Sequence, residues 1–132
     1  MAADASAVQN VSLAIDTLDG AAVLPFWRAM LAHVTDEEGR LGDPHSRWSP
    51  IWFQQMDTPR EQRNRIHVDV FVPDDQAQQR ITATLAAGGR VVYDAEAPEW
   101  WTLADPEGNE VDIAVAVGRE ELWAAAQEQG TG

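Results

Sequence analysis

With 132 residues, 45% of them hydrophobic and 23% charged, the chain is long enough for one folded domain and unlike a disordered segment in composition. Twenty-two acidic residues face nine basic ones, all arginine, and the formal net charge of −13 repels nucleic-acid phosphates. The absence of cysteine and lysine excludes disulfides, thiolate chemistry, cysteine metal sites and Schiff bases, and no apolar run reaches the roughly 18 residues of a membrane span.

The N-terminal "MAADASAVQN" has no basic stretch followed by an apolar one, so no secretory signal is visible and a cytoplasmic location is expected. The first predicted strand, Val8–Ile15, sets Val11, Leu13 and Ile15 opposite Asn10, Ser12 and Ala14. A helix follows, with Leu18, Ala22, Phe26, Met30 and Val34 near helical spacing. Pro25 falls inside it, which suits a helix beginning close by and a kink otherwise. His33, near its end, suits a helix C-terminus. Asp36–Pro50 reads as a loop with one short strand, and His45 beside Asp43 and Arg47 reads as solvent-exposed. The strand "IWFQQM" comes next, then a polar connector at Asp57–Asn64.

"RIHVDVFV" (Arg65–Val72) repeats the two-residue period, with Ile66, Val68, Val70 and Val72 opposite His67, Asp69 and Phe71. A second helix carries Ala77, Ile81 and Leu85 as a stripe and stops at Gly88-Gly89. "DPEG" at Asp105–Gly108 has type I turn preferences, and between "WWTLA" and "NEVDIAV" it predicts a tight antiparallel hairpin. In its second strand Val111, Ile113, Val115 and Val117 alternate with Asp112, Ala114 and Ala116. "GREELWAAAQEQ" then predicts a short helix, about residues 118–129, with Leu122 and Trp123 available for docking.

Three strands thus carry one aliphatic and one polar face, the pattern of a sheet with helices on one side and a cavity on the other. Shifting the chain against itself by 57 residues lays Asn10 on His67, Ile15 on Val72 and the first helix on the second. It also brings Gln55, or Gln54 with one more residue of slip, onto Asp112. Strand, helix and a short meander occur twice, which predicts an internal duplication.

A buried Asp112 needs a partner, because an unpaired buried charge costs several kcal/mol. His67 is the nearest credible one, as a working site or as a structural pair. Asp69, on the same face, either orients His67, binds a ligand, or pairs with Arg65 or Arg47. Of the six tryptophans, Trp52 and Trp100 fall on the side of Gln54 and Thr102 and are expected to line a small-molecule pocket, with Trp48 nearby. Trp27 and Trp101 are expected in the core and Trp123 at an interface.

"NRIHVDVFVPDDQAQQRITATLAAGG" followed by "WTLADPEGNEVDI" resembles the glyoxalase/bleomycin-resistance/extradiol-dioxygenase (vicinal oxygen chelate) superfamily, in its small glyoxalase-like branch. "VQNVSLAID" and "FWRAML" extend the resemblance into the first half. It implies a single α+β domain with two βαβββ modules, about residues 6–57 and 64–117, forming a half-barrel of curved mixed sheet around a cavity, helices outside. The family's four ligand positions fall on Asn10, Gln54 (or Gln55), His67 and Asp112. His67 and Asp112 are thereby the candidate catalytic and metal-binding residues, and Asn10, Gln54, Asp69, Trp52 and Trp100 the candidate ligand-binding ones.

One imidazole, one carboxylate and two amides could hold Zn, Mn, Fe, Ni or Mg only loosely, short of the two-His-one-carboxylate set of iron oxygenases. The resemblance implies a homodimer and a small-molecule enzyme of lyase, isomerase or dioxygenase type, metal-assisted or not. The alternative is a metal-free protein that sequesters an aromatic or cationic compound, as the bleomycin-resistance members do. An acidic cavity with indole faces suits cations.

Overall fold

Alternation of apolar and polar residues becomes three sheets, of two, two and four strands, with two helices in the computed structural model, which describes residues 10–59, 61, 64 and 66–119. The expected C-terminal helix with Leu122 and Trp123 lies outside the described residues, as do Val8 and Arg65. The first module runs β1 (Ala14–Thr17), α1 (Gly20–Leu31), β2 (Val34–Thr35), β3 (Leu41–Gly42) and β4 (Trp52–Gln55). β1 pairs in parallel with β4, β2 antiparallel with β3, and a Leu41–Ile51 bridge joins β3 to the residue before β4. The second module runs β5 (Asp69–Val72), α2 (Ala77–Ala86), β6 (Arg90–Tyr93), β7 (Trp100–Ala104) and β8 (Glu110–Val115). Its strands form one sheet in the order β5-β8-β7-β6, with β5 and β8 parallel. First, fourth, third, second is the spatial order in both modules. This is the α+β arrangement of paired βαβββ units, with sheets that do not close.

α1 begins where Asp19, in an extended conformation, accepts a hydrogen bond from the Ala21 N–H at 3.1 Å. Pro25 sits inside the helix, so the bond its N–H would have made to Ala21 is missing. The buried stripe is Val23, Phe26, Trp27 and Met30, while Leu18 and Val34 are exposed, which corrects the expected stripe. The reason is that the helix spans only Gly20–Leu31, so Leu18 and Val34 fall outside it. Arg80 of α2 donates to the carbonyls of Ala29 and Met30 at 3.3 and 3.4 Å, placing a cation at the C-terminal end of α1. On α2, Ala77, Ile81 and Thr84 are buried and Leu85 is exposed.

Both modules feed one core. Val23, Phe26, Trp27, Met30, Leu41 and Ile51 meet Val72, Ile81, Leu103, Val111 and Ile113, each large aliphatic side chain contributing about 1.5–3 kcal/mol by leaving water. After α2 the chain must cross Phe26 closely. A Cβ on Gly89 would lie 2.5 Å from the Phe26 ring and 2.9 Å from the Thr84 carbonyl oxygen. Only glycine fits there.

Two strands start later than their alternation suggests. Val11 (76% exposed) and Leu13 (42%) precede the β1–β4 ladder and Ile66 (80%) precedes β5, so of the expected aliphatic faces only Ile15, Val68, Val70 and Val72 reach the core. Alternation continues past the point where a neighbouring strand exists to use it. No helix among the described residues is long and apolar enough to cross a membrane.

Candidate functional site

The registers of β5, β8 and β7 decide which side chains meet. Asp69 is level with Asp112 across the parallel pair, and Asp112 is level with Thr102 across the antiparallel one. Residues opposite one another share a face, so Asp69, Asp112 and Thr102 point away from the helices while Val70, Ile113 and Trp101 turn toward them. Thr102 Oγ1 donates to Asp112 Oδ1 at 2.6 Å. The other carboxylate oxygen, Oδ2, lies 3.6 Å from His67 Nδ1, within ion-pair range. Asp112 is largely covered and the imidazole half exposed (side chains 20% and 53%).

Asp69 completes the polar group. Burial pushes its carboxyl above the usual carboxylate range, and the Asp112 charge and hydrogen bonding with Asp112 push it further, against the opposing pull of His67 and Arg119. Its expected partners are elsewhere or undescribed. Arg47 is bound to Asp43 at 2.7 Å, and Arg65 lies outside the described residues.

One rung along, Phe71, Ala114 and Trp100 are level on the same face. Tyr93 stacks on Trp100 with ring centroids 5.2 Å apart and an interplanar angle of 27°. Arg119 lies over Phe71 at 5.0 Å. An ionic patch therefore adjoins an aromatic one. Phe71 and Thr102 were readable as same-face neighbours of Asp69 and Asp112 but were not singled out. Tyr93 had no such signal, because a bulge between Val91 and Tyr93 breaks the alternation and turns the phenol to this side.

In the first module, Trp52 and Gln54 pair with Ala14 and Asp16, away from the core-facing Phe53 and Ile15, and Arg40 lies 5.5 Å over the Trp52 ring. Gln55 turns the other way and donates to the carbonyls of Leu18 and Met56 at 2.7 and 3.0 Å. Gln54 is thus the residue on the outward face. Asn10 accepts a hydrogen bond from Ser49 Oγ through its side-chain oxygen. His67, Asp69 and Asp112 come together; no hydrogen bond among the described residues joins Asn10 or Gln54 to them.

This donor set does not fit a divalent metal. Although His67, Asp69 and Asp112 adjoin, no three His, Asp or Glu side chains among the described residues are arranged to hold a metal ion, the Asn10 oxygen is engaged by Ser49, and Asp112 Oδ1 by Thr102.

The remaining candidates separate clearly. Trp27 is in the core and Trp101 partly buried against it, whereas Trp48 is exposed beneath Arg47. His45 is exposed, and His33 is buried with no hydrogen-bond partner for Nδ1 among the described residues. Two clefts of about 290 and 370 Å³ among the described residues include neither His67 nor Asp112 in their lining.

A sequence-family description, the glyoxalase-like domain, matches residues 12–114. No curated protein matches the chain at a significant level. Among solved structures, a glyoxalase/bleomycin resistance protein/dioxygenase family enzyme from Burkholderia phytofirmans PsJN is similar at 18% identity and TM-score 0.59, covering 80% of this chain and 97% of that one. A glyoxalase/dioxygenase from Nostoc punctiforme aligns at 12% identity and TM-score 0.63, covering 87% and 96%. A variant of the fosfomycin resistance protein FosX from Listeria monocytogenes, complexed with Mn(II) and 1S,2S-dihydroxypropylphosphonic acid, aligns at 9% identity and TM-score 0.58, covering 83% and 89%. At these identities the likeness is one of fold.

Proposed function

The chain belongs to the glyoxalase-like domain family, and we propose that the sheet face turned away from the helices acts on a small oxygen-bearing molecule through His67 and Asp112. The single observation behind this reading is the relay from Thr102 Oγ1 to Asp112 at 2.6 Å and from Asp112 to His67 Nδ1 at 3.6 Å. With Nδ1 turned to the carboxylate, Nε2 is the ring atom left for substrate. His67 takes a proton from carbon beside a carbonyl or related group, and Asp112 stabilises the imidazolium that forms. Asn10 and Gln54, as neutral amides, are the donors available to the developing enolate or alkoxide. Trp52 and Trp100 hold the apolar part of the substrate, and Asp69 borders the pair on the same face. The overall reaction is of lyase, isomerase or dioxygenase type.

FosX carries Mn(II) in the complex named above, but the donor set here supports no step through a metal. The proton transfer runs through the imidazole alone. Incubating carbonyl compounds with the protein in heavy water and following loss of the α-proton signal by NMR tests this. Exchange that falls about 10²- to 10⁴-fold in His67→Ala is expected. Exchange indifferent to that substitution contradicts it.

The Tyr93–Trp100 stack beside two carboxylates favours a second reading, metal-free sequestration of an aromatic cation. Saturable quenching of tryptophan fluorescence by such cations, lost in Trp100→Ala and with no turnover, would select it. A cytoplasmic homodimer belongs to either reading. Light scattering at twice the 14.5 kDa chain mass supports the dimer.

A further inference from the structure

Away from the His67–Asp112 group, the larger cleft opens along the seam between the modules with a volume of about 370 Å³. Leu13, Ile15, Trp27, Leu31, Ile66 and Val68 give it apolar walls, and Asp16, Asn109 and Glu110 lie at its polar side. Among the described residues β1 pairs only with β4 and β5 is the edge of its sheet, and no ladder between them joins the modules here. The seam is stitched at the β7–β8 hairpin end, where Asn109 Nδ2 donates to the Asp16 carbonyl at 3.4 Å and Glu107 binds residues 17–19. Beyond that stitch, Leu13 and Ile66 remain 42% and 80% exposed at the cleft, apolar surface whose removal from water is favourable.

We propose that this seam cleft binds an uncharged, largely apolar small molecule, separately from the sheet face that carries His67 and Asp112. Size and charge both select that class. The volume lies at the small end of ligand pockets, enough for a bicyclic aromatic or a short branched aliphatic. Asp16 and Glu110, in a chain of net charge −13, repel anions. A cation would lose hydration against apolar walls, and Glu110, only 7% exposed, already has partners within the protein. The hydrophobic effect is left as the driving force, and it asks for no charge.

The probe is 1-naphthol, titrated into the full chain and followed by NMR shifts of the Trp27 indole and of the Leu13 and Val68 methyl groups. Saturable binding with a dissociation constant below about 1 mM is expected, with 1-naphthoate at least about tenfold weaker because of its charge. Ala14→Trp fills the cleft from a position that lines it and should weaken naphthol binding at least about tenfold. Ile66→Glu changes a side chain 80% exposed, spares the core and should weaken binding similarly, so it decides the matter if Ala14→Trp fails to fold. His67→Ala should bind naphthol as the parent does. Absence of saturable shifts, equal binding of naphthoate, survival of binding in both cleft variants, or its loss in His67→Ala would each overturn the proposal.

Discussion

Asp43 and Asp105 each open a turn of the same construction, one in each module. In each, the aspartate carbonyl accepts from the residue three positions on (Ser46 at 2.9 Å, Gly108 at 3.0 Å), which has positive φ. In each, the carboxylate accepts the N–H groups two and four positions on: His45 and Arg47 at 3.1 and 2.9 Å, Glu107 and Asn109 at 2.8 and 2.9 Å. The turns differ in reach. Asp43 spends its remaining bonds on its own Arg47 guanidinium, at 2.7 and 3.1 Å. Asp105 reaches across to Trp27 Nε1 at 2.8 Å, and Glu107 receives Thr17 Oγ1 and the N–H groups of Leu18 and Asp19 at 2.5, 2.6 and 2.9 Å. One duplicated device therefore serves a local loop in the first module and a clamp between modules in the second. That clamp is the tip of the β7–β8 hairpin, which also carries Thr102 and Asp112. The face proposed to carry the site and the inter-module joint are built on the same two strands.

The largest test of this contrast is Asp105→Ala. The carboxylate is fully buried, and its loss strands the Trp27 N–H and the turn amides, which should cost about 3–5 kcal/mol in urea unfolding. Asp43→Ala should cost clearly less, since among the described residues its carboxylate bonds only within its own loop. Equal losses would refute the distinction between clamp and local turn.

Glu107→Ala should cost about 1–3 kcal/mol in the same measurement by leaving Thr17 Oγ1 and the N–H groups of Leu18 and Asp19 without their partner. Burial pushes the Glu107 carboxyl up, but hydrogen bonds from Thr17, Leu18 and Asp19 outweigh it and hold the group below its usual range. Its contribution is therefore complete above the ordinary glutamate range and is lost as pH falls through the depressed folded value. Glu107→Gln should flatten the acid side of the stability profile. A profile unchanged by that substitution would remove the carboxylate from the account.

Thr102→Val should cost about 1–2 kcal/mol by leaving a partly covered carboxylate oxygen unpaired. It should also slow proton exchange at the site, and Thr102→Ser should restore both. A restored stability without restored exchange would mean that Thr102 does not position Asp112.

Asp69→Asn carries the smallest expected effect. Its carboxyl is raised by burial and by Asp112, so the folded state loses stability as pH rises from the ordinary aspartate range through the raised value. The amide should remove that slope and add less than about 1 kcal/mol at neutral pH, given the exposure of the group. Destabilisation at pH 7 would contradict it.

Much of the second module was legible because its alternation is strict and one face is apolar throughout. That placed His67, Asp69 and Asp112 together before any coordinates. The first module was harder for particular reasons. Val11 and Leu13 keep the two-residue period where no strand adjoins them, since periodicity reports which face a residue takes and not where pairing stops. The Asp43 turn lacks the glycine that marks its twin, Ser46 taking the positive φ instead. Gln54 and Gln55 are chemically identical, so only the ladder with β1 could choose between them. Tyr93 reached the site face through a bulge that leaves no compositional trace.

The joint action of His67 and Asp112 is tested most directly by a double-variant cycle on α-proton exchange in heavy water. His67→Ala, Asp112→Asn and the pair should be compared at one pH. If the two side chains act as one unit, the double variant will be no slower than the slower single. Losses that multiply would show two independent groups and contradict the relay.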